Sequence, residues 1–405
     1  MSRIALVAGP DAGHALPALG VASALRRRGH DVRVYSGLGH DRTAAPHGLT
    51  IEQLPLLAPT AGDTDLGHRM WGRAGEMAGP LASSLRGWRP EAVVVDTLTR
   101  AGSFAAQLLG VPWVELIGHH LPDPAPDLPP VGAGRRLART PWRRADDRRL
   151  YGLQQRSLAI GDEQAAAAAR ALGLASVQPP ALRLVATLPG LERRRARWPP
   201  DAHVVGPLAV DPAGDPLAIP PGDAPLIVVT DSTASGVDRS LGEVALRGLT
   251  HLDVRLVVTS THLPSRADDR VSVGRSPHGP LLAAATLAVG FGGGGFISKA
   301  AAHGVPLVVV PLVGDQREAA ARLRDSGAGR VLPLRRLSPR TLRWAIVRHL
   351  GDPDATRAAR RLAEQAAQLG PELAATLVEA VVAGGRPAAS GPSEHLLVAD
   401  QPSRA

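Results

Sequence analysis

The feature that most constrains the fold is an alternation of short apolar runs with helix-forming segments, which occurs twice along 405 residues. In the first half, the apolar runs Ile4–Ala8 and Val32–Tyr35 flank Ala15–Arg28, where apolar residues recur at helical spacing. Such alternation is typical of a parallel sheet with helices on both faces. This half continues with predicted strands at Ala92–Val95 and Trp113–Ile117 and a predicted helix at Gly102–Leu109.

The alternation restarts after Gly206–Pro225, whose proline and glycine content is that of a linker. The second half contains predicted strands at Leu226–Thr230, Val254–Thr259, Leu287–Val289 and Leu307–Val310 and helices at Leu241–Leu249, Ile297–Ala302 and over most of Pro339–Gly384. We therefore predict an α/β protein with two doubly wound, Rossmann-like parallel-sheet domains facing a cleft. The predicted units are an N-terminal domain at 1–205, a linker at 206–222, a C-terminal domain at 223–384 and a disordered tail at 385–405.

Composition excludes several classes of protein. Cysteine is absent, which excludes disulfide frameworks, thiolate metal sites and cysteine nucleophiles. No apolar run approaches the roughly 18 residues of a membrane span, so we expect a cytoplasmic protein without stable membrane insertion. The net charge of +9 comes from 46 basic residues that, apart from Lys299, are all arginine, a bias typical of GC-rich coding. Aromatic residues make up only 3%, too few for base stacking, so no nucleic-acid partner is expected.

Two polar residues follow predicted strands, where open parallel sheets bind their ligands. His14 stands at the start of the first helix, after Ile4–Ala8. An imidazole can accept a proton near neutral pH, and a helix start favours its neutral form. Asp96 directly follows Ala92–Val95 and can orient that imidazole and stabilise its charged form. The alternative is that both residues only cap or pack against their helices.

A glycine-rich turn, Gly290–Phe296, lies between the strand Leu287–Val289 and the helix Ile297–Ala302. Glycines let a ligand approach the backbone, and the unpaired N–H groups of a helix start attract phosphate. The turn is not a P-loop, because no Gly-Lys-Ser/Thr closes it, and it is not a dinucleotide fingerprint at the chain start. Its context favours a phosphate-binding turn, and a merely flexible turn is the alternative.

Four segments resemble parts of family-one glycosyltransferases, the natural-product and macrolide type with the GT-B fold. The nucleotide-sugar motif of that family is similar to AVGFGGGGFISKAAAHGVPLVVVPLVGDQREAAARL, and its acceptor-domain start is similar to AGPDAGHALPALGVASALRRRGHDV. Leu226–Thr233 resembles the first donor-domain strand and its phosphate-side loop, and Pro277–Leu282 resembles the segment before the donor motif. Together the segments extend over nearly the whole chain.

The resemblance implies sugar transfer from a nucleoside diphosphate donor to an acceptor hydroxyl, with inversion and without a catalytic metal or a further cofactor. In this resemblance, His14 corresponds to the family's catalytic base, and Asp96 corresponds to the carboxylate that pairs with that base. The resemblance places Asp315 and Gln316 on the pair that hydrogen-bonds the donor sugar. The other positions matched to donor and diphosphate contacts are Ser232, Thr233, His278, Phe291, Gly292, Gly293 and Gly295.

Several donor positions depart from the family pattern. Phe291 stands where a histidine usually contacts the diphosphate, Phe296 where a serine or threonine follows the turn, and Lys299 where a glutamate usually binds the ribose. Arg275 stands where an aromatic residue often stacks on the base. Lys299 lies four residues after Gly295 on the same helix face, so we predict a replacement phosphate ligand, with a solvated surface lysine as the alternative.

His119 and His120 follow the strand Trp113–Ile117 and are predicted to line the acceptor pocket. Together with Asp123 they fix no metal geometry, so no metal site is predicted. The predicted function is transfer of a sugar to a hydroxyl of a small, largely apolar acceptor in antibiotic or other secondary-metabolite biosynthesis. The alternatives are a degenerate homologue that acts as an auxiliary, ligand-binding protein, and a tailoring enzyme with different chemistry. A homodimer is a further expectation.

Overall fold

The computed structural model describes residues 1–37, 39–54, 68–231, 240–312 and 314–387. The first half forms a sheet of seven strands that pair in parallel. Its strands are β1 (Arg3–Val7), β2 (Asp31–Ser36), β3 (Ile51–Gln53), β4 (Ala92–Asp96), β5 (Trp113–Ile117), β6 (Leu182–Val185) and β7 (Ala202–Val204). They lie in the order β3-β2-β1-β4-β5-β6-β7.

Helices cover both faces of this sheet because successive strand residues point to opposite sides. Leu19 and Leu25 pack with Leu6 on one face, whereas Leu81 and Phe104 belong to the core on the other face. The helices of this half are α1 (Ala12–Arg27), α2 (Asp41–Ala44), α3 (Arg73–Trp88), α4 (Ala101–Leu109) and α5 (Pro141–Ala171). Shorter helical turns in the chain lie at Ala45–His47, His68–Gly72, Pro189–Leu191 and Leu334–Arg336.

The second half forms another seven-stranded sheet, parallel except for one short edge strand. Its strands are β8 (Leu226–Thr230), β9 (Arg255–Thr259), β10 (Arg266–Ala267), β11 (Val271–Gly274), β12 (Leu287–Gly290), β13 (Leu307–Val309) and β14 (Gly329–Val331), in the order β10-β11-β9-β8-β12-β13-β14. Its helices are α6 (Leu241–Leu249), α7 (Gly279–Ala284), α8 (Gly294–Ala302), α9 (Gly314–Asp325), α10 (Pro339–Leu350), α11 (Pro353–Ala366) and α12 (Pro371–Val382).

The predicted fold class is confirmed, because both halves are parallel-sheet α/β units. Each strand and each separately bounded helix predicted from the sequence has a counterpart whose ends differ by at most three residues. The sequence analysis does not predict the helices α2, α3, α5, α7 and α9 or the strands β3, β6, β7, β10, β11 and β14, and α5 with 31 residues is the longest of them. The predicted tail at 385–405 lies outside the described residues from position 388 onward.

The segment predicted as a linker, 206–222, packs against both halves. Leu208 is buried in the first core, and a Cβ on Gly20 of α1 would overlap the Leu208 carbonyl oxygen. Only glycine therefore lets α1 and this segment approach so closely. Leu217 and Ile219 pack against the core of the second half. The segment is thus a packed strap between the two sheets.

Helix α12 lies within the predicted C-terminal unit, 223–384, but packs on the first half. Val378 and Val381 belong to the same buried core as α1 and β1. Arg28, directly after α1, donates two hydrogen bonds to Glu379 of α12, at 2.9 and 2.6 Å. The contacts of α12 therefore assign it to the first half, because its apolar residues pack against α1.

Candidate active site

Neighbouring strands bring the predicted catalytic pair together. β1 and β4 pair in register with Val7 opposite Val95, so the segments that follow them lie side by side. His14 lies in the first turn of α1, and Asp96 is the last residue of β4. His14 Nδ1 is 2.7 Å from Asp96 Oδ1. Parallel pairing thus joins two side chains that stand 82 positions apart in the sequence.

Further hydrogen bonds fix the buried Asp96 carboxylate. Its Oδ2 accepts from the Thr99 hydroxyl at 3.0 Å and from the Leu98 N–H at 3.2 Å. Because an ionised carboxylate only accepts, the neutral His14 ring carries its proton on Nδ1 and has Nε2 available as the acceptor. The His14 side chain keeps 18% of its surface exposed, so the ring is not sealed in the core.

The pKa of His14 is raised above its ordinary value of 6.5. Burial opposes the charged ring, but the hydrogen bond and the negative charge of Asp96 outweigh that effect, and the charges of Asp11 and Asp315 add to them. Asp315 belongs to α9, so the field at His14 comes from both halves of the molecule. A raised pKa makes this imidazole a stronger base toward a hydroxyl.

The glycine-rich turn leads from β12 into α8. Gly293 is the extended residue before the helix, and Gly292 has a φ of +86°, in the left-handed region that favours glycine. A Cβ on Gly290 would lie 2.9 Å from the Phe296 ring, so a larger residue would displace the turn. The first N–H groups of α8, including that of Gly295, have no partner within the helix, and the helix dipole adds positive charge. The turn therefore has the geometry of an anion site.

Segments of the first half approach this turn closely. A Cβ on Gly294 would lie 3.5 Å from the Gly118 carbonyl oxygen and 3.5 Å from His119 Cβ. A Cβ on Gly118 would in turn lie 3.0 Å from the Gly13 carbonyl oxygen. The start of α1, the loop after β5 and the start of α8 therefore converge, with His14 adjacent to Gly13, and the contact is tight at Gly118.

The two predicted acceptor-pocket residues, His119 and His120, lie where the halves meet. His119 Nδ1 is 2.7 Å from the His120 carbonyl oxygen. His120 is buried, and burial together with the charge of Arg322 holds its pKa well below the ordinary value. With Gly294 they line a cavity of about 20 Å³, enough for one water molecule. This small cavity lies between the halves, and the role of His119 and His120 in an acceptor pocket stays a prediction.

Acidic side chains near these histidines are already paired. The Asp123 carboxylate accepts hydrogen bonds from Arg183 Nη1 at 2.7 and 2.8 Å. Within the ranges that the structure describes, no group of three or more His, Asp or Glu side chains is arranged to hold a metal ion.

His278 lies beneath the glycine-rich turn. Its Nε2 is 3.2 Å from the Thr259 hydroxyl oxygen, and its ring meets the Phe296 ring edge-on, with centroids 5.3 Å apart. Burial, together with the charge of Lys299, lowers the pKa of His278 to about 4. This histidine is therefore neutral at pH 7 and can take part in donor binding only as a neutral hydrogen-bonding group.

Phe291 stands at a predicted donor-binding position, and its side chain is buried in the apolar core. Phe291 is 5% exposed and packs in the apolar core with Val289 and Val310. Burial of this aromatic ring stabilises the fold. Beside a diphosphate the ring would make no hydrogen bond, so the buried position is the more favourable one. The predicted hydroxyl contacts Ser232 and Thr233 lie outside the described residues.

Lys299 is paired with the strap between the halves. Its Nζ lies 2.5 Å from Asp211 Oδ1 and 3.0 Å from the Val210 carbonyl oxygen. The other Asp211 oxygen accepts from the Gly279 N–H at 2.7 Å. Burial opposes the charge of Asp211, but Lys299 outweighs that effect and lowers the pKa of this carboxyl group. The ammonium thus has a carboxylate partner in this structure, and the role of Lys299 as a replacement phosphate ligand stays a prediction.

Asp211 is a residue that sequence reasoning missed. It stands in a segment rich in proline and glycine, and its partner Lys299 is 88 positions away. A single carboxylate in a stretch of linker composition carries no local signal of such a contact.

Asp315 and Gln316 begin α9 beside the glycine-rich turn. Gln316 Oε1 accepts from the Leu312 N–H at 3.0 Å, which fixes the orientation of the amide. A Cβ on Gly292 would lie 3.5 Å from the Gln316 carbonyl oxygen, so α9 and the turn are neighbours. Asp315 is exposed, and its charge acts on His14. The predicted sugar-binding pair therefore lies between the base and the turn.

Solved structures identify the fold. The chain matches the glycosyltransferase SnogD from Streptomyces nogalater with a TM-score of 0.69 and 23% identity, over 94% of this chain and 99% of that one. It matches the calicheamicin glycosyltransferase CalG4 with a TM-score of 0.74 and 20% identity, over 96% of this chain and 100% of that one. The fold is therefore the two-domain GT-B fold of glycosyltransferases.

Sequence relatives define the family. Residues 240–380 match the family described as "Erythromycin biosynthesis protein CIII-like, C-terminal domain". The 4'-demethylrebeccamycin synthase of Lentzea aerocolonigenes is 30% identical over 94% of this chain and 100% of its own length. The 10-deoxymethynolide desosaminyltransferase of Streptomyces venezuelae is 27% identical over 71% of this chain and 67% of its own length. The chain belongs to this family of natural-product glycosyltransferases, and the predicted enzyme class is confirmed.

Among the described helices, none is long and apolar enough to cross a membrane.

Proposed function

We propose that the chain transfers a sugar from a nucleoside diphosphate to a hydroxyl of a small, largely apolar natural product, with His14 as the base. The observation that carries this proposal is the 2.7 Å contact between His14 and Asp96, next to the loops that converge on α8. The relatives named above, a demethylrebeccamycin synthase and a deoxymethynolide desosaminyltransferase, support the acceptor class.

The proposed reaction is a single displacement. The acceptor oxygen forms a bond to the anomeric carbon while His14 Nε2 takes the hydroxyl proton. The bond between the anomeric carbon and the diphosphate oxygen breaks, and its electron pair leaves with the diphosphate. Attack from the face opposite the leaving group inverts the anomeric centre. Asp96 stabilises the positive charge that forms on the ring.

The start of α8 is the proposed site of the leaving diphosphate. Negative charge that develops there meets the first N–H groups of the helix and its dipole. Backbone groups supply this stabilisation, so we propose a reaction without a catalytic metal or a further cofactor. Asp315 and Gln316 are proposed to hold the hydroxyls of the sugar. A homodimer and a cytoplasmic location remain predictions.

The test combines sugar transfer with nucleotide binding. Wild type is incubated with uridine, thymidine and guanosine diphosphate sugars and a panel of natural-product acceptors, and products are detected by mass. His14→Ala is expected to lower turnover by about 10²–10⁴ because the proton acceptor is lost. His251→Ala changes an exposed histidine on the surface of the second half and is the matched control.

Binding is measured separately as a rise in melting temperature. A nucleoside diphosphate at one hundred times its dissociation constant is expected to stabilise the protein by about 2.7 kcal/mol. Near-normal turnover in His14→Ala would exclude the proposed base. Absence of any thermal shift at millimolar nucleotide would exclude the donor site and favour an auxiliary, ligand-binding protein.

A further inference from the structure

Helix α9 carries one charged face along the boundary between the halves. Asp315, Glu318, Arg322 and Asp325 follow at spacings of three, four and three residues, which places them on one side of the helix. At the head of this face, a Cβ on Gly292 of the glycine-rich turn would lie 3.5 Å from the Gln316 carbonyl oxygen, and the charge of Asp315 acts on His14. The remaining three residues meet a segment of the first half that follows β6.

Five side chains form what we call the α9 ion cluster: Glu192, Arg193, Glu318, Arg322 and Asp325. Arg322 Nη1 lies 2.6 Å from Glu192 Oε2, and Arg322 Nε lies 3.0 Å from Glu318 Oε1. Arg193 Nη1 lies 3.2 Å from the same Glu318 oxygen, and Arg193 Nη2 lies 2.8 Å from Asp325 Oδ2. Arginines and carboxylates of the two halves therefore interleave.

Four of the five members of the α9 ion cluster are buried, and Asp325 forms its exposed end. Side-chain exposure is 0% for Glu192, 1% for Glu318, 2% for Arg322 and 4% for Arg193. Glu192 Oε1 also accepts from the Leu121 N–H at 3.0 Å, so the loop after β5 is tied to the same group. Charges removed from water destabilise a protein unless each has a well-placed partner. A shift of α9 along the first half would separate these buried partners, and the cluster therefore favours one register of the helix.

We propose that the α9 ion cluster positions α9 against the first half and so holds Asp315 opposite His14. The inference rests on the proposed function, in which His14 is the base and Asp315 holds the donor sugar. An α-helix advances by about 1.5 Å per residue as a stiff rod, so fixing Glu318 and Arg322 also fixes the first turn. The cluster members are positioning residues, because they act on the site through α9.

The test neutralises one pair without changing the net charge, in the variant Glu192→Gln/Arg322→Gln. The matched control is Arg28→Gln/Glu379→Gln, which removes an Arg–Glu pair that also joins α1 to α12 but lies outside the α9 ion cluster. The readout is the pKa of His14, followed by NMR of the labelled histidine ring, which requires no turnover. The negative groups that act on His14 are Asp96, Asp11 and Asp315.

We expect Glu192→Gln/Arg322→Gln to lower the pKa of His14, because Asp315 raises it in the wild type and moves away when α9 is released. Asp315→Asn is expected to lower the pKa of His14 as well. Adding Glu192→Gln/Arg322→Gln to Asp315→Asn is expected to lower this pKa no further. The control is expected to leave it unchanged. In parallel, kcat/KM for the donor is expected to fall about tenfold to a hundredfold, the scale of an ångström-sized misplacement.

An unchanged His14 pKa in a folded Glu192→Gln/Arg322→Gln variant would overturn the proposal, as would a melting-temperature loss without that shift. An unchanged pKa in Asp315→Asn would do so too. If the double variant does not fold, Asp325→Asn at the 25% exposed end of the cluster is tested by the same titration of His14. An unchanged pKa of His14 in that variant would overturn the proposal. Failure of the proposed function is seen separately, as near-normal turnover in His14→Ala.

Discussion

At the scale of single residues, Asp96 determines how His14 titrates. Its Oδ1 accepts from His14 Nδ1, and its Oδ2 is held by Thr99 and Leu98, so the carboxylate cannot turn away. Burial alone would lower the pKa of His14, and the paired carboxylate reverses that direction. Among the charges that raise the pKa of His14, the largest therefore comes from the end of β4, far from His14 in the sequence.

Asp96→Asn tests this dependence. The amide keeps the shape but removes the negative charge, so the pKa of His14 falls. The base acts in its neutral form, and the wild type therefore loses activity as the pH drops through the raised pKa. In the variant this loss begins at lower pH, and turnover at the optimum falls by about 10²–10⁴. The measurement is kcat/KM for the acceptor as a function of pH.

Asp253→Asn is the control for this experiment. Asp253 is 96% exposed and lies in the second half, so its loss is expected to leave the profile unchanged. An acid limb that stays at the wild-type position in Asp96→Asn would mean that this carboxylate does not set the pKa of the base.

At the scale of elements, the strap between the halves is fixed to α8 by one ion pair. Lys299 lies in the last turn of α8, and Asp211 in the strap accepts from both its ammonium and the Gly279 N–H. A Cβ on Gly279 would lie 2.6 Å from the Asp211 carboxylate, so a larger residue here would displace that side chain. The contact holds the strap against the donor-binding half.

Lys299→Met is expected to lower the free energy of unfolding by about 1.5–3 kcal/mol, because a half-buried carboxylate loses a charged hydrogen-bond partner. Asp211→Asn is expected to lower it as well. Neither variant is expected to change the dissociation constant of a nucleoside diphosphate relative to that of the nucleoside alone. Thermal unfolding and isothermal calorimetry measure the two quantities.

Arg247→Met, at a 74% exposed position paired with the exposed Glu243, is the control and is expected to be nearly neutral. The competing interpretation gives the opposite pattern. If the ammonium binds phosphate, Lys299→Met weakens diphosphate binding and Asp211→Asn strengthens it, because the lysine is then released from its partner.

At the scale of the whole molecule, the last helix joins the first half. Val378 of α12 is fully buried in the core that contains α1 and β1, although it lies in the last 30 residues. We expect Val378→Ala to destabilise the protein by roughly 1–3 kcal/mol, through lost burial and the cavity left behind. Urea unfolding measures this change.

Val347→Ala on α10 is the matched control. Its side chain is 47% exposed, so the same deletion of two methyl groups removes little buried area. Equal losses in the two variants would contradict the placement of α12 on the first half.

Much of this architecture follows from local patterns. Strands buried on both faces, such as Ala92–Asp96 and Leu226–Thr230, are continuous apolar runs and need no knowledge of their neighbours to be recognised. Helix α5 was not predicted for the opposite reason. Only four of its 31 residues are buried, so no apolar stripe marks its face.

Local sequence patterns suffice to predict the two α/β halves, His14 at a helix start, Asp96 at a strand end and the glycine-rich turn, because each depends on residues adjacent in the chain. Tertiary structure alone decided that Phe291 faces the core, that Lys299 pairs with Asp211, and that α9 is tied to Glu192. These contacts join residues far apart in sequence. The free energy of each contact depends on which distant residue packs against or pairs with the buried group. No local sequence pattern specifies that partner.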